Sequence, residues 1–179
     1  MEPGYFDNRA RIVKDDLVAS IANGDRVAIA SSVFSMYAYQ ELAEQLEGIE
    51  ELRFIFTSQA FTKQRPPRDK REFYILRLAR EQGLCGTEFE IKLRNELTQK
   101  AVALECADWI RRKARFRSFE GESRMNNFLD VDKTGDDVAY MPFDAFTTRK
   151  LGCDNSPNSG DLTMRLDFSQ SQALLKDFN

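Results

Sequence analysis

Two apolar runs, Val27-Ala28-Ile29-Ala30-Ser31 and Leu52-Arg53-Phe54-Ile55-Phe56-Thr57, decide the fold. Each has the length of a buried strand and lies between turn formers: Asn23-Gly24 before the first, Ser32 to Ser35 after it, Gly48 before the second. Between them Met36, Tyr39, Leu42, Ala43 and Leu46 fall on one face of a helix. A strand, a helix and a strand joined by short connections form a βαβ crossover, so the two strands are expected as parallel neighbours.

Working outward, Val13, Leu17 and Ile21 recur at four-residue spacing and predict a helix over 7–23, with Asp7 or Asn8 as its cap. The longest periodic segment is Thr87 to Lys113, where Phe89, Leu93, Leu97, Ala101 and Leu104 form a stripe widened by Val102, Cys106, Trp109 and Ile110. Thr87 and Glu90 fit a capping box at its start, and Arg111, Arg112 and Lys113 suit its C-terminal dipole. Ala114–Phe119, Phe128–Val131, Val138–Met141 and Leu162–Leu166 read as further strands of the same sheet. Thr134-Gly135-Asp136-Asp137 supplies a hairpin turn, and Ser169 or Ser171 opens a last helix. The expectation is an α/β fold: a mixed, largely parallel sheet flanked by helices, in one domain over 1–179, with a basic excursion at 59–86.

The chain holds no histidine among 179 residues, which removes Ser-His-Asp and Cys-His relays, histidine metal ligands and any side chain titrating near neutrality without perturbation. Cys85, Cys106 and Cys153 are widely spaced, odd in number and without a C-x-x-C pair, so they read as reduced thiols of a cytoplasmic protein. No leader and no apolar run of about 18 residues is visible, so no membrane contact is expected. The formal charge of −3 hides a split. Lys63 to Arg117 holds 15 Lys/Arg against 8 Asp/Glu, leaving an acidic remainder. A polyanion-facing middle is implied.

Within that middle the run Lys63, Arg65, Arg68, Lys70 and Arg71, followed by Phe73 and Tyr74, suits phosphate contacts with base stacking. Arg115 and Arg117 can join it from their strand. Glu90-Ile91-Lys92 matches half of a restriction-type nuclease motif, and Asp130, Asp132, Asp136 and Asp137 gather around the hairpin. Together these make a metal-dependent nuclease the rival reading. On a helix, however, residues two apart point to nearly opposite sides, which is the wrong geometry for that chemistry. No phosphate-binding glycine loop is present.

The stretches Val27 to Tyr37 and Leu52 to Ser58 resemble the opening of phospholipase D-like domains, where a strand ends in a Ser-x-aromatic-Ser turn. Thr87 to Lys100 and Tyr140 to Thr148 resemble the N-terminal region of large bacterial helicase-like ATPases of the Swi/Snf superfamily, which carry such a module ahead of the motor. The last helix stops while still short, so a module cut from a longer protein is expected. Active phospholipase D enzymes carry H-x-K-x4-D and, downstream, G-S-x-N; the histidine attacks phosphorus and the lysine binds the phosphoryl oxygens. In the register the resemblance implies, Met125 stands for the histidine, Asn127 for the lysine, and Asp132 on the aspartate. Phe143 and Ala145 stand for the downstream serine and asparagine. The resemblance thus implies the fold without its hydrolase activity: a pseudoenzyme needing no cofactor or metal, binding DNA weakly and without sequence preference beside a C-terminal helicase motor. Single-motif members of that superfamily often pair, so it also implies a homodimer. A purely protein-binding domain is the remaining alternative.

Overall fold

Alternation along the strands sorts large from small. On β2 (Arg26–Ser31), Val27 and Ile29 face one side of the sheet and Ala28 and Ala30 the other. The computed structural model describes residues 4–57, 96–119, 125–133, 135–153 and 162–178. The remaining strands are β1 (Tyr5–Phe6), β3 (Glu51–Phe56), β4 (Ala114–Ser118), β5 (Phe128–Asp132), β6 (Val138–Met141) and β7 (Thr163–Leu166). They form one seven-stranded sheet in the order β1-β7-β6-β5-β2-β3-β4. β2 and β3 pair in parallel with Ile29 level with Phe54, as the crossover requires, and β4 adds in parallel to β3.

The mixed α/β sheet flanked by helices therefore forms as expected, but its pairings are not largely parallel. Five strands run one way, yet only β2–β3 and β3–β4 are parallel; β5, β6, β7 and β1 all pair antiparallel to their neighbours. For β5–β6 the cause is connection length. The β5–β6 link is short enough only for a hairpin, whereas parallel neighbours need a crossover of a dozen or more residues.

One face of the sheet is covered by α1 (Val13–Ser20), α2 (Met36–Glu41), α3 (Ala43–Gly48) and α4 (Glu96–Lys113). α1 begins later than expected because Asp7 and Asn8 serve the turn ahead of it. Asp7 Oδ1 accepts from the N–H groups of Arg9, Ala10 and Arg11, while Asn8 Oδ1 accepts from Val13 N–H at 3.0 Å. Instead of one helix over 36–46 there are two, broken at buried Leu42, whose N–H turns to Tyr39 O at 3.0 Å.

The stripe that anchors α4 differs from the expected one. Val102, Cys106 and Trp109 are buried, whereas Ala101 is exposed and Leu104 stands 64% exposed. Two apolar stripes lie side by side in the sequence, and Trp109, with the most area to bury, turns its own inward. Its indole N–H donates to Leu46 O at 3.0 Å, and its ring lies 4.9 Å from that of Tyr39. Leu93 and the expected start at Thr87 lie outside the described residues, as does the whole 59–86 excursion.

The opposite face is covered only by α6 (Phe168–Phe178), among the described residues; α5 (Thr148–Leu151) sits at the sheet end with α1 and α2. Asp167, not a serine, caps α6: it accepts from Gln170 N–H at 3.0 Å, and Gln170 Oε1 accepts in return from Asp167 N–H at 3.2 Å. No described helix is long and apolar enough to cross a membrane.

Candidate functional site

Because β5 runs against β2 and β6 against β5, one end of the sheet collects the C-termini of β2, β3 and β6 and the N-terminus of β5. Four short segments meet there: Ser31-Ser32, Thr57, Asn127 and Pro142–Ala145. Thr57 Oγ1 donates to Asn127 Oδ1 at 2.7 Å, and Thr57 N–H donates to Ser31 O at 3.0 Å. Phe143 N–H donates to Asn127 O at 3.0 Å, bringing two of the motif-register positions into direct contact. Ser32 donates twice to Asp144 O, from its N–H at 2.9 Å and its hydroxyl at 2.6 Å. Phe146 then docks beside Phe34 as an isolated bridge, with its N–H on Val33 O and its own carbonyl accepting from Ser35.

The side chains at this junction are chemically quiet. Met125 is half-buried against the second-face cluster of Ala28, Ala30 and Phe128. Phe143 is fully buried, 6.5 Å ring to ring from Phe146, which stacks on Phe34 at 5.3 Å. Ala145 offers a methyl group. The four residues singled out by the resemblance thus present a thioether, an amide already engaged by Thr57, a phenyl ring and a methyl. An ion pair at this end of the sheet joins Lys150, buried on α5, to Asp144 at 3.2 Å. That bond spends the ammonium on a protein carboxylate. Gly152, at φ +83°, closes α5 against Asn8, where a Cβ would come within 2.6 Å of Asn8 Oδ1. Asp132 does not join the group: it lies level with Arg26 at the far end of β5, about 17 Å along the strand from Asn127.

The aspartates expected to gather at the hairpin do not converge on a common site among the described residues. Asp130 is buried within β5, Asp136 is exposed, and Asp137 accepts from Lys133 N–H at 3.2 Å. Among the described residues no cluster of three or more acidic or thiol side chains could hold a metal ion. Glu90 and Lys92 lie outside the described residues, so the nuclease reading keeps no described carboxylate site.

Arg115 and Arg117 fall where the sequence puts them, exposed on the edge strand β4. Parallel pairing sets Arg115 level with Arg53 and Arg117 level with Ile55, so Arg53, Arg115 and Arg117 share the second face of the sheet. Sequence reading left Arg53 without a role; the signal was its parity, opposite to buried Leu52 and Phe54. The Arg53 guanidinium lies 5.3 Å from the Phe178 ring, and Arg115 is ion-paired to Glu51. Lys63, Arg65, Arg68, Lys70 and Arg71 lie outside the described residues.

No family model and no curated protein matches the chain. Among solved structures, a yeast tyrosyl-DNA phosphodiesterase carrying one substitution aligns with a TM-score of 0.36 at 10% identity. The alignment covers 92% of this chain but 31% of that one, a likeness too distant to bear on residue roles.

Proposed function

We propose that this chain is a catalytically silent, phospholipase D-like module that contacts the phosphate backbone of DNA. The observation that supports the silent half is the engagement of Asn127, whose side-chain oxygen accepts from Thr57 and whose carbonyl accepts from Phe143 N–H, in a chain without histidine. The binding half rests on the arginine row of β3 and β4. Glu51 is no obstacle: Arg115 is 77% exposed, and exposed ion pairs contribute about 0–1 kcal/mol, so a phosphate can replace that carboxylate. Docking beside a helicase-like motor, and pairing of two copies, belong to the same proposal and rest on the sequence resemblance.

Anisotropy of a labelled duplex tests the binding. Affinity is expected on the order of 10⁻⁴–10⁻⁶ M at physiological salt, without sequence preference. R115A/R117A should flatten the salt slope by about 0.9 per lost contact. Equal binding by native chain and double mutant, or indifference to salt, points instead to a protein partner. For the silent half, M125H/N127K should remain inactive on a nitrophenyl phosphodiester, since Phe143 and Ala145 stay apolar. Metal-independent turnover by the native chain, abolished by N127A, overturns it.

A further inference from the structure

We propose that α6 is a proton-controlled cover over the second face of the sheet, held down by the carboxyl group of Asp130. The helix reaches the sheet through one narrow stripe, Ser171, Leu175 and Phe178, spaced at i, i+4 and i+7. Beneath it, among the described residues, lie Ala28, Ala30 and Phe128, with Ile55, Met125 and Met141 at the margin and Arg53 against Phe178. In the middle of that apolar floor stands Asp130, fully buried. One oxygen accepts from the Ser171 hydroxyl; the other has no hydrogen-bond partner among the described residues. A carboxylate in that position would leave a charged oxygen unsatisfied under the helix, whereas a protonated carboxyl does not. The neutral acid therefore matches the covered state and the anion the uncovered one.

The surroundings agree. Burial, foremost, pushes Asp130 up to about 7 from 3.8, and the nearby Asp137 and Asp132 push the same way. Ser171 and Arg53 oppose, and the register neighbours Ala28 and Ala139 carry no charge. A second tie, Gln172 Nε2–H to Asp137 Oδ2, holds the N-terminal half of α6 near the hairpin. Since the covered state keeps a proton that the uncovered state releases, the contribution of Asp130 to closure is fully present near pH 4. It is lost as pH rises and is gone above about 7. Lifting α6 also takes the Phe178 ring off Arg53.

Hydrogen exchange by mass spectrometry on the full chain at pH 5, 6, 7 and 8, corrected for intrinsic rates, reads this directly. Protection across 168–178 should fall about tenfold per pH unit up to 7 and level off by 8, while α1 keeps its protection. Asp130→Asn, neutral at every pH and nearly isosteric, should give a flat profile. Ser171→Ala, which removes a bond to the anion, should move the levelling point to higher pH. A flat native profile overturns the proposal, as does Asp130→Asn with the native slope. If Asp130→Asn does not fold, Ser171→Ala decides: an unmoved levelling point overturns it.

Discussion

The two faces of the sheet share strands but not chemistry. On the first, Val27, Ile29, Leu52, Phe54, Leu129, Val131 and Tyr140 project into a cluster closed by four helices, with Trp109, Phe143 and Phe146 among its largest members. On the second, the same strands offer Ala28, Ala30 and Phe128 to one helix, and between them carry Asp130 and the arginines of β3 and β4. Parity alone produces the contrast, because successive residues of a strand face opposite ways. The first face holds the fold together. The second is thin and charged, and both proposals fall on it, where a titrating group, a lifting helix or a bound polyanion would leave the core intact.

The comparison is broken most directly at its strong side. Trp109→Ala removes the largest buried side chain of the first face and strands the Leu46 carbonyl it caps, so it should cost about 3–5 kcal/mol. In thermal unfolding followed by circular dichroism that is a drop on the order of 10 °C for a chain of this size. A loss below about 1 kcal/mol would mean that α4 is not the lid of the main core. Phe178→Ala is the matching cut on the second face. Its ring packs on Phe128 at 5.6 Å and on Arg53, at the edge of a small cluster that can collapse after truncation. About 2 kcal/mol is expected. Equal costs for the two variants would end the distinction between a thick face and a thin one.

Much of this was legible because it is local. The apolar runs of β2 and β3, the helix pattern between them and the turn before β6 each carry their own signal, and parallel β2–β3 pairing follows from the crossover. What was not legible depends on contacts distant in sequence. The two-residue β1 exists because Tyr5 and Phe6 pair with Met164 and Thr163, almost the whole chain away. Asp130 reads as one of several strand and turn aspartates near the hairpin until α6, about forty residues later, buries it against Ser171. Of the candidate site, the meeting of Asn127 with Phe143 was not legible, since an amide and a phenyl ring announce no chemistry and the bond between them runs through the backbone.

The choice between the two stripes of α4 gives the smallest and most discriminating test. Ala101 and Leu104 continue the four-residue rhythm of Leu93 and Leu97, yet the described helix turns Val102, Cys106 and Trp109 to the core. The two stripes differ by one or two positions, a rotation of 100° or more on a helix of 3.6 residues per turn. Periodicity cannot choose between them; buried area can, and an indole outweighs a leucine. Leu104→Gln, at a side chain 64% exposed, should therefore change stability by no more than about 0.5 kcal/mol. A loss of about 2 kcal/mol or more would show that Leu104 is covered in the folded chain. The helix would then have a second buried side, and its contribution to the first face would have to be reassigned.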